Sequence, residues 1–229
     1  MRPKDWLKTD PLLAAVRKFA ADSSIELYLV GGYLRDRVRG RVNDDIDVLI
    51  RADVALAGPE LATRLAGHFF LLDGERGVGR VVLRPEAPRT VDLTELKTSV
   101  EENLAERDFT VDAIALDFRD LSKERLESAD LVQPAGGLAD LDKAVIRMVT
   151  ARALADDPLR LLRGVRLAAE LECSIEPVTA SAIRDQASLL ASVSAERVGA
   201  EFLEILGLAR SASALRDASA FSTVPGPRR

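Results

Sequence analysis

Leu27-Tyr28-Leu29-Val30-Gly31-Gly32-Tyr33-Leu34-Arg35-Asp36, followed by Asp45-Ile46-Asp47-Val48-Leu49-Ile50, decides how this chain is read. The run from Leu27 to Val30 predicts a strand that ends at a glycine pair, with a short polar helix after it. A second apolar strand then carries two acids at alternate positions. Because a strand alternates its side chains between two faces, Ile46, Val48 and Ile50 share the expected core face. Asp45 and Asp47 share the other. Mg²⁺ prefers hard oxygen ligands and usually takes one or two carboxylates plus substrate phosphates. Gly31 and Gly32 let the backbone approach a ligand without a Cβ in the way. The helix that follows would point its N–H groups at phosphates, and Arg35 in its first turn would add a positive fork. Alone, a Gly-Gly turn or a D-x-D is a weak signal, and Asn43-Asp44-Asp45 reads equally as a hydrophilic turn. In this order, the pieces suit a triphosphate cradle beside a divalent-metal site, the equipment of nucleotidyl transfer.

Composition narrows the chemistry. The 229 residues suffice for one large or two small domains, and 47% of them are hydrophobic, enough for a core. No apolar run approaches the ~20 residues that span a bilayer, and Met1-Arg2-Pro3-Lys4-Asp5 lacks the apolar stretch of a signal peptide. A soluble, cytoplasmic protein with no membrane partner is expected. Cys173 is the only cysteine, which excludes an intrachain disulfide and a thiolate zinc site. His68 is the only histidine and reads as structural; it leaves no multi-histidine metal site and argues against a Ser-His-Asp triad. Any metal must rest on carboxylates. The net charge is −5, yet arginine strongly outnumbers lysine among the 32 basic residues. A local basic groove is compatible with an acidic total, so charge leaves RNA binding open.

Asp10-Pro11 reads as an N-cap with proline at the first helical position. Ala52 to Ala66 reads as a helix interrupted near Gly58-Pro59. Phe69 to Leu72, Arg80 to Leu83, Thr90 to Thr94 and Ala113 to Phe118 read as strands, with a helix from Ser99 to Glu106. After about Gly137 strand signals largely vanish. Asp157 to Leu171, Thr179 to Leu190 and Ala195 to Ala209 look like consecutive amphipathic helices. Strands first and helices later predict an α+β domain, a small mixed or antiparallel sheet flanked by helices, followed by an all-helical domain. Ser211 to Arg229 reads as a flexible end. In Thr90-Val91-Asp92-Leu93, Val91 and Leu93 face the core and Asp92 the opposite side. If this strand pairs beside the D-x-D strand, three carboxylates converge; otherwise Asp92 is an ordinary solvent-facing residue.

Five segments in order resemble the class II tRNA nucleotidyltransferase and bacterial poly(A) polymerase family. Leu29-Val30-Gly31-Gly32 through Arg35-Asp36 and Asp45-Ile46-Asp47 is similar to its catalytic motif. Arg107-Asp108-Phe109-Thr110-Val111-Asp112-Ala113 is similar to its R-R-D-F-T-x-N-A segment. Gly136-Gly137-Leu138-Ala139-Asp140-Leu141 resembles its hinge, Asp156-Asp157-Pro158-Leu159-Arg160 its E-D-x-x-R segment, and Ser194-Ala195-Glu196-Arg197 with Glu201 a helical motif. The resemblance implies a catalytic head over residues 1–138 and a helical neck over 139–210. It implies metal, Mg²⁺, on Asp45 and Asp47, with Asp92 as the third acid. It places Gly31, Gly32 and Arg35 at the triphosphate, Arg107 and Asp108 near the sugar, and Asp157 and Arg160 at the incoming base. The implied partners are CTP and ATP and the 3′ end of tRNA or another RNA. The 3′-hydroxyl attacks the α-phosphate and pyrophosphate leaves, by a two-metal mechanism.

Asp157 and Arg160, three apart on the expected helix, can present an acceptor beside a donor fork. Cytosine and adenine both offer an amine beside a ring acceptor, whereas uracil presents the reverse and leaves polar groups unpaired. A surface ion pair is the plain alternative. The chain departs from the family at Glu106, Asp112 and Asp156, where Arg, Asn and Glu are usual. The stretch between Asp92 and Arg107 is short, as in enzymes that add only CC. Poly(A) addition, CC-only or A-only addition, and a non-catalytic RNA-binding module remain alternatives at this point.

Overall fold

The computed structural model describes residues 2–83 and 89–208, so the expected flexible end at 211–229 lies outside the described residues. The chain forms two compact units, Met1–Leu104 with Asp112–Pro134, and Ala105–Val111 with Ala135–Arg229.

The first unit opens with helices α1 (Pro3–Thr9) and α2 (Pro11–Ser23). Asp10 caps α2 as expected: its carboxylate accepts from Leu12 N–H and Leu13 N–H, and Pro11 follows at the first helical position. Then come β1 (Leu27–Val30), α3 (Gly31–Val38), β2 (Ile46–Ile50), α4 (Val54–Arg64), β3 (His68–Asp73), β4 (Val78–Val82), β5 (Thr90–Glu95), α5 (Val100–Ala105), β6 (Ala115–Asp117) and β7 (Leu131–Val132). Among the described residues, the seven strands form one sheet in the order β3-β4-β5-β2-β1-β6-β7. It is mixed, because β2 and β5 run parallel while the other neighbours are antiparallel. Ile46, Val48 and Ile50 are buried together as the alternation predicts, but Leu49 is buried too, so both faces of β2 are covered there. Against the expected break, α4 runs unbroken through Pro59. Val54, Ala57, Leu61 and Ala62 are buried along one of its faces, and that packing outweighs the lost backbone bond.

The second unit contains α6 (Gly137–Asp142), β8 (Val145–Ile146), α7 (Ala151–Asp156), α8 (Leu159–Leu171), β9 (Ser174–Ile175), α9 (Pro177–Gln186) and α10 (Ala195–Gly207). It is mostly helical, but β8 and β9 form a short parallel pair, and Phe109 bridges to Met148. Two-residue strands leave no alternation to read. Helix α8 is its centre: Leu161, Val165, Leu167, Ala168 and Leu171 are buried, and Ile205 of α10 packs with Val165. Gly164 of α8 lets Phe109 lie directly on the helix, since a Cβ there would sit 2.7 Å from the ring. That contact anchors the segment carrying Arg107 and Asp108.

Candidate active site

In the first unit the Gly-Gly turn and the acids are adjacent by strand register. Strand β1 delivers Gly31 beside β2, with Val30 opposite Asp47. Gly31 has φ +64°, a left-handed conformation, and a Cβ there would lie 2.8 Å from Asp47 Oδ2. Only glycine fits both constraints. Val30 stands at the N-cap of α3, so no side chain caps this helix start. Strand β5 does pair beside β2, with Asp47 opposite Asp92. Asp45, one residue before β2, accepts hydrogen bonds from Thr90 N–H (3.2 Å) and Thr90 Oγ1 (2.9 Å).

The three carboxylates do not gather into a ready-made group. Among the described residues no cluster of three or more His, Cys, Asp or Glu side chains is arranged to hold a metal. Arg80 on β4 occupies the third of these acids: its Nε and Nη2 donate to Asp92 Oδ1 and Oδ2 at 2.6 and 2.7 Å. These bonds raise the pKa of the guanidinium; burial opposes the rise, and the charges of Asp92, Asp45 and Asp47 add to it. The arginine therefore sits in the field of all three acids. Asp45 and Asp47 have the hard-oxygen chemistry that a divalent ion needs, beside a turn closed to any Cβ.

Arg35 does not present its fork outward as expected. It is 4% exposed, with Nε and Nη2 on Asp36 (3.0 and 3.1 Å) and Nη1 on Asp112 (2.7 Å). Its charge is taken up inside the unit, where Asp112 supplies an anion. Asp36 also accepts from Asn43 Nδ2 (2.8 Å), and Asn43 Oδ1 accepts from Asp45 N–H (3.0 Å). A continuous relay, Asp112–Arg35–Asp36–Asn43–Asp45, thus ties helix α3 to the loop that carries the first acid. A Cβ built on Gly32 would lie 3.6 Å from Arg35 Nη2, so this turn rests close to the guanidinium.

In the second unit a pocket of about 270 Å³ is lined by Arg107, Asp108, Asp157, Leu159, Arg160, Arg163, Arg197 and Glu201. All four expected sugar and base residues line it, with Asp157 just ahead of the helix that carries Arg160. Helix α7 ends at Asp156, Asp157 is extended, and α8 starts only at Leu159. The helix expected from Asp157 therefore starts two residues later, after Pro158, whose ring disfavours helical geometry at the residue before it. Asp157 accepts from Leu159 N–H (3.3 Å) and from Arg197 Nη2 (3.0 and 3.2 Å). Arg160 donates through Nη1 to two backbone carbonyls, Glu106 O (3.1 Å) and Ala153 O (3.0 Å). One arm of the fork is clamped, which fixes its plane while Nε and Nη2 remain for a ligand. Asp108 pairs with Arg163 Nε (2.8 Å), and Glu201 with Arg166 Nε (2.6 Å). The lining thus sets four arginines against three carboxylates. Arg163 escaped the sequence reading because a lone arginine on an amphipathic helix carries no signal. Arg197 and Glu201 fell inside a motif but had no assigned role.

A mixed sheet with a Gly-Gly turn against paired carboxylates, together with a helical unit bearing an Asp/Arg pocket, defines the nucleotidyltransferase class. Residues 79–147 match the "Poly A polymerase head domain" and residues 173–221 the "Probable RNA and SrmB- binding site of polymerase A". The chain is 38% identical over 86% of its length to a CC-adding tRNA nucleotidyltransferase of Geobacter sulfurreducens, covering 44% of that protein. It is 39% identical over 70% of its length to an A-adding tRNA nucleotidyltransferase of Deinococcus radiodurans, covering 34% of it. Its fold matches the Thermotoga maritima CCA-adding enzyme complexed with tRNA, with TM-score 0.77 and 24% identity over 92% of this chain and 50% of that one. The chain belongs to the class II tRNA nucleotidyltransferase and poly(A) polymerase family. It spans about half the length, or less, of the curated relatives it matches. Nucleotidyltransferases of this kind generally work with divalent metals. No helix among the described residues is long and apolar enough to cross a membrane.

Proposed function

We propose that this chain adds C, A or both to RNA 3′ ends, tRNA first among them, from CTP and ATP, without a nucleic-acid template. In this reading residues 1–138 are the catalytic head and 139–210 the neck, working in the cytoplasm. The observation that carries the reading is the Asp157/Arg160 pocket. Arg160 is locked by two carbonyls and Asp157 by Arg197, so an acceptor and a half-free donor fork are held at fixed positions. A rigid pair of this kind can stand in for a template base, because a nucleobase with the reversed pattern leaves desolvated polar groups unpaired.

The triphosphate lies at the uncapped start of α3, against the Gly31-Gly32 backbone. Arg35 stiffens this turn from beneath rather than touching phosphate. Arg107 and Asp108 stand for the ribose, where Asp108 is an acceptor for a 2′-hydroxyl. The RNA 3′-hydroxyl attacks the α-phosphorus in line, a new P–O bond forming as the bond to the β-phosphate oxygen breaks; the hydroxyl proton passes to solvent water and pyrophosphate departs. Mg²⁺ would be held by Asp45 and Asp47, with Asp92 beside them, and when bound it supplies charge neutralisation at the phosphates and favours the ionised hydroxyl.

CC addition is the favoured sub-reading. Between Asp92 and Arg107 the chain is used up by the end of β5 at Glu95 and by α5 at Val100–Ala105, so only residues 96–99 and Glu106 lie outside these elements. The test is to bind CTP, ATP, UTP and GTP with Mg²⁺, then to offer tRNAs lacking CCA, CA or A. Selective binding of CTP, or of CTP and ATP, supports the reading. Extension by two residues from CTP, with no further residue when ATP is also present and none on the tRNA lacking A, identifies CC-only addition. Equal affinity for UTP and CTP would sink the pocket's role.

A further inference from the structure

We infer that Arg80 is a built-in competitor for the metal site, its guanidinium fork and a divalent ion taking Asp92 in turn. The inference rests on the reading that Asp45 and Asp47 hold the ion, and goes beyond it by giving a role to a residue that no motif covers. Arg80 on β4 stands directly opposite Asp92 on β5, and Asp92 directly opposite Asp47 on β2. Directly opposed residues on adjacent strands have their side chains side by side. One row across three strands therefore carries a cation, an acid and a second acid.

Both oxygens of Asp92 are engaged by the fork, at 2.6 and 2.7 Å. An ion that recruits Asp92 must displace at least one arm. The displacement is cheap, because the Arg80 and Asp92 side chains are 44% and 26% exposed and an ion pair so open to solvent contributes little. The core at this point is carried by Val81 and Val91, both fully buried. Without an ion, the fork relieves the repulsion among neighbouring carboxylates. With one, the arginine leaves and Asp92 completes the acid set. The consequence is a metal site whose affinity is held down by the protein itself.

Mn²⁺ is the probe, titrated by electron paramagnetic resonance into the wild-type chain and into Arg80→Gln, Arg80→Lys, Asp47→Asn and Arg80→Gln/Asp92→Asn. Circular dichroism establishes that each is folded. Arg80→Gln is expected to bind Mn²⁺ about fivefold tighter. Arg80→Lys keeps the charge but loses the two-armed grip, and its affinity should fall between the two. In the double variant the gain should vanish. Unchanged or weaker binding by Arg80→Gln overturns the inference. So does a lysine variant that matches wild type, since the charge alone would then explain the effect. Binding that ignores Asp47→Asn removes the metal reading underneath, an outcome separable from failure of the competition.

Discussion

At the scale of single residues, Arg160 is the sharpest test of the base pocket. Truncating it to alanine removes the donor fork but none of the buried stripe of α8, which is built from Leu161, Val165 and Leu171. The fold should survive. Discrimination between CTP and UTP, measured as the ratio of kcat/KM or of binding constants, should fall by about 10²-fold or more. Arg160→Lys should recover little of it, because a point-like ammonium cannot span two carbonyls and a base edge together. Arg160 was legible in the sequence as part of a spaced motif, and so were Asp45, Asp47 and the glycine pair. Arg80, Arg163 and Asn43 were not. Arg80 acts through cross-strand register and Asn43 through a loop, neither of which leaves a period in the chain, and Arg163 is a lone arginine on a helix whose period reports only its buried face. Arg35 shows the opposite failure: its position in the motif was plain, yet burial against Asp36 and Asp112 changed what it can touch. A sequence reports which residue is present more readily than whether solvent reaches it.

At the scale of elements, two hydrogen-bonded devices fix α3 relative to its neighbours. The first is the relay that ends on Asp45. Asn43→Ala breaks it between Asp36 and the Asp45 backbone. The lost side-chain bonds should cost only about 1 kcal/mol of stability, since Asn43 lies in a loop. The catalytic loss should be larger, about tenfold or more in kcat/KM, because a loosened acid misplaces the reacting groups. Equal, small losses in melting temperature and activity would remove the positioning role. The second device is Asp10. Its carboxylate caps α2 and accepts from Tyr33 Oη (2.7 Å), Arg37 Nη2 (2.8 Å) and both terminal nitrogens of Arg89 (2.8 and 2.9 Å). Burial would raise its pKa, but the hydrogen bonds from Arg89, Tyr33 and Leu13 N–H, with the Arg89 charge, hold it well below the usual carboxylate range. The folded value lies below the unfolded one, so this stability is present above about pH 4. It is lost as pH falls through the depressed folded value. Asp10→Asn should cost about 3 kcal/mol at neutral pH by leaving two arginines short of a partner. It should also flatten the acid limb of stability, as urea unfolding between pH 2 and 7 would reveal. Elements with long patterns, such as α2, β2 and α8, could be read from the chain. Helix α7 could not, because Ala151–Asp156 is too short to show a period, and Pro158 separates it from α8 only through its geometry.

At the scale of the whole molecule, the order of the sequence and the order of the structure part company. The sequence shows one composition change near Gly137, yet the second unit also claims residues 105–111. The reason is chemical and local to that unit. Phe109 is fully buried against Gly164. Thr110 Oγ1 donates to the buried Asp140 (2.7 Å), Thr110 N–H to Arg147 O (2.9 Å), and Val149 N–H to Asp108 O (2.9 Å). Arg163 and Asp108 pair across the pocket. A fragment of residues 135–229 loses all of these together. Removing a buried phenylalanine alone costs about 3–5 kcal/mol, comparable with the whole stability of a small domain. The fragment should therefore lack a cooperative thermal transition, although it keeps α8, α9 and α10 whole. A synthetic peptide covering residues 105–111, added in excess, should restore a transition whose midpoint rises with peptide concentration, as binding linkage requires. The same peptide with Phe109→Ala should fail. A fragment that melts cooperatively without the peptide would show that the segment is only tethered to the second unit, and that the pocket's Arg107 and Asp108 are not held by the packing of Phe109.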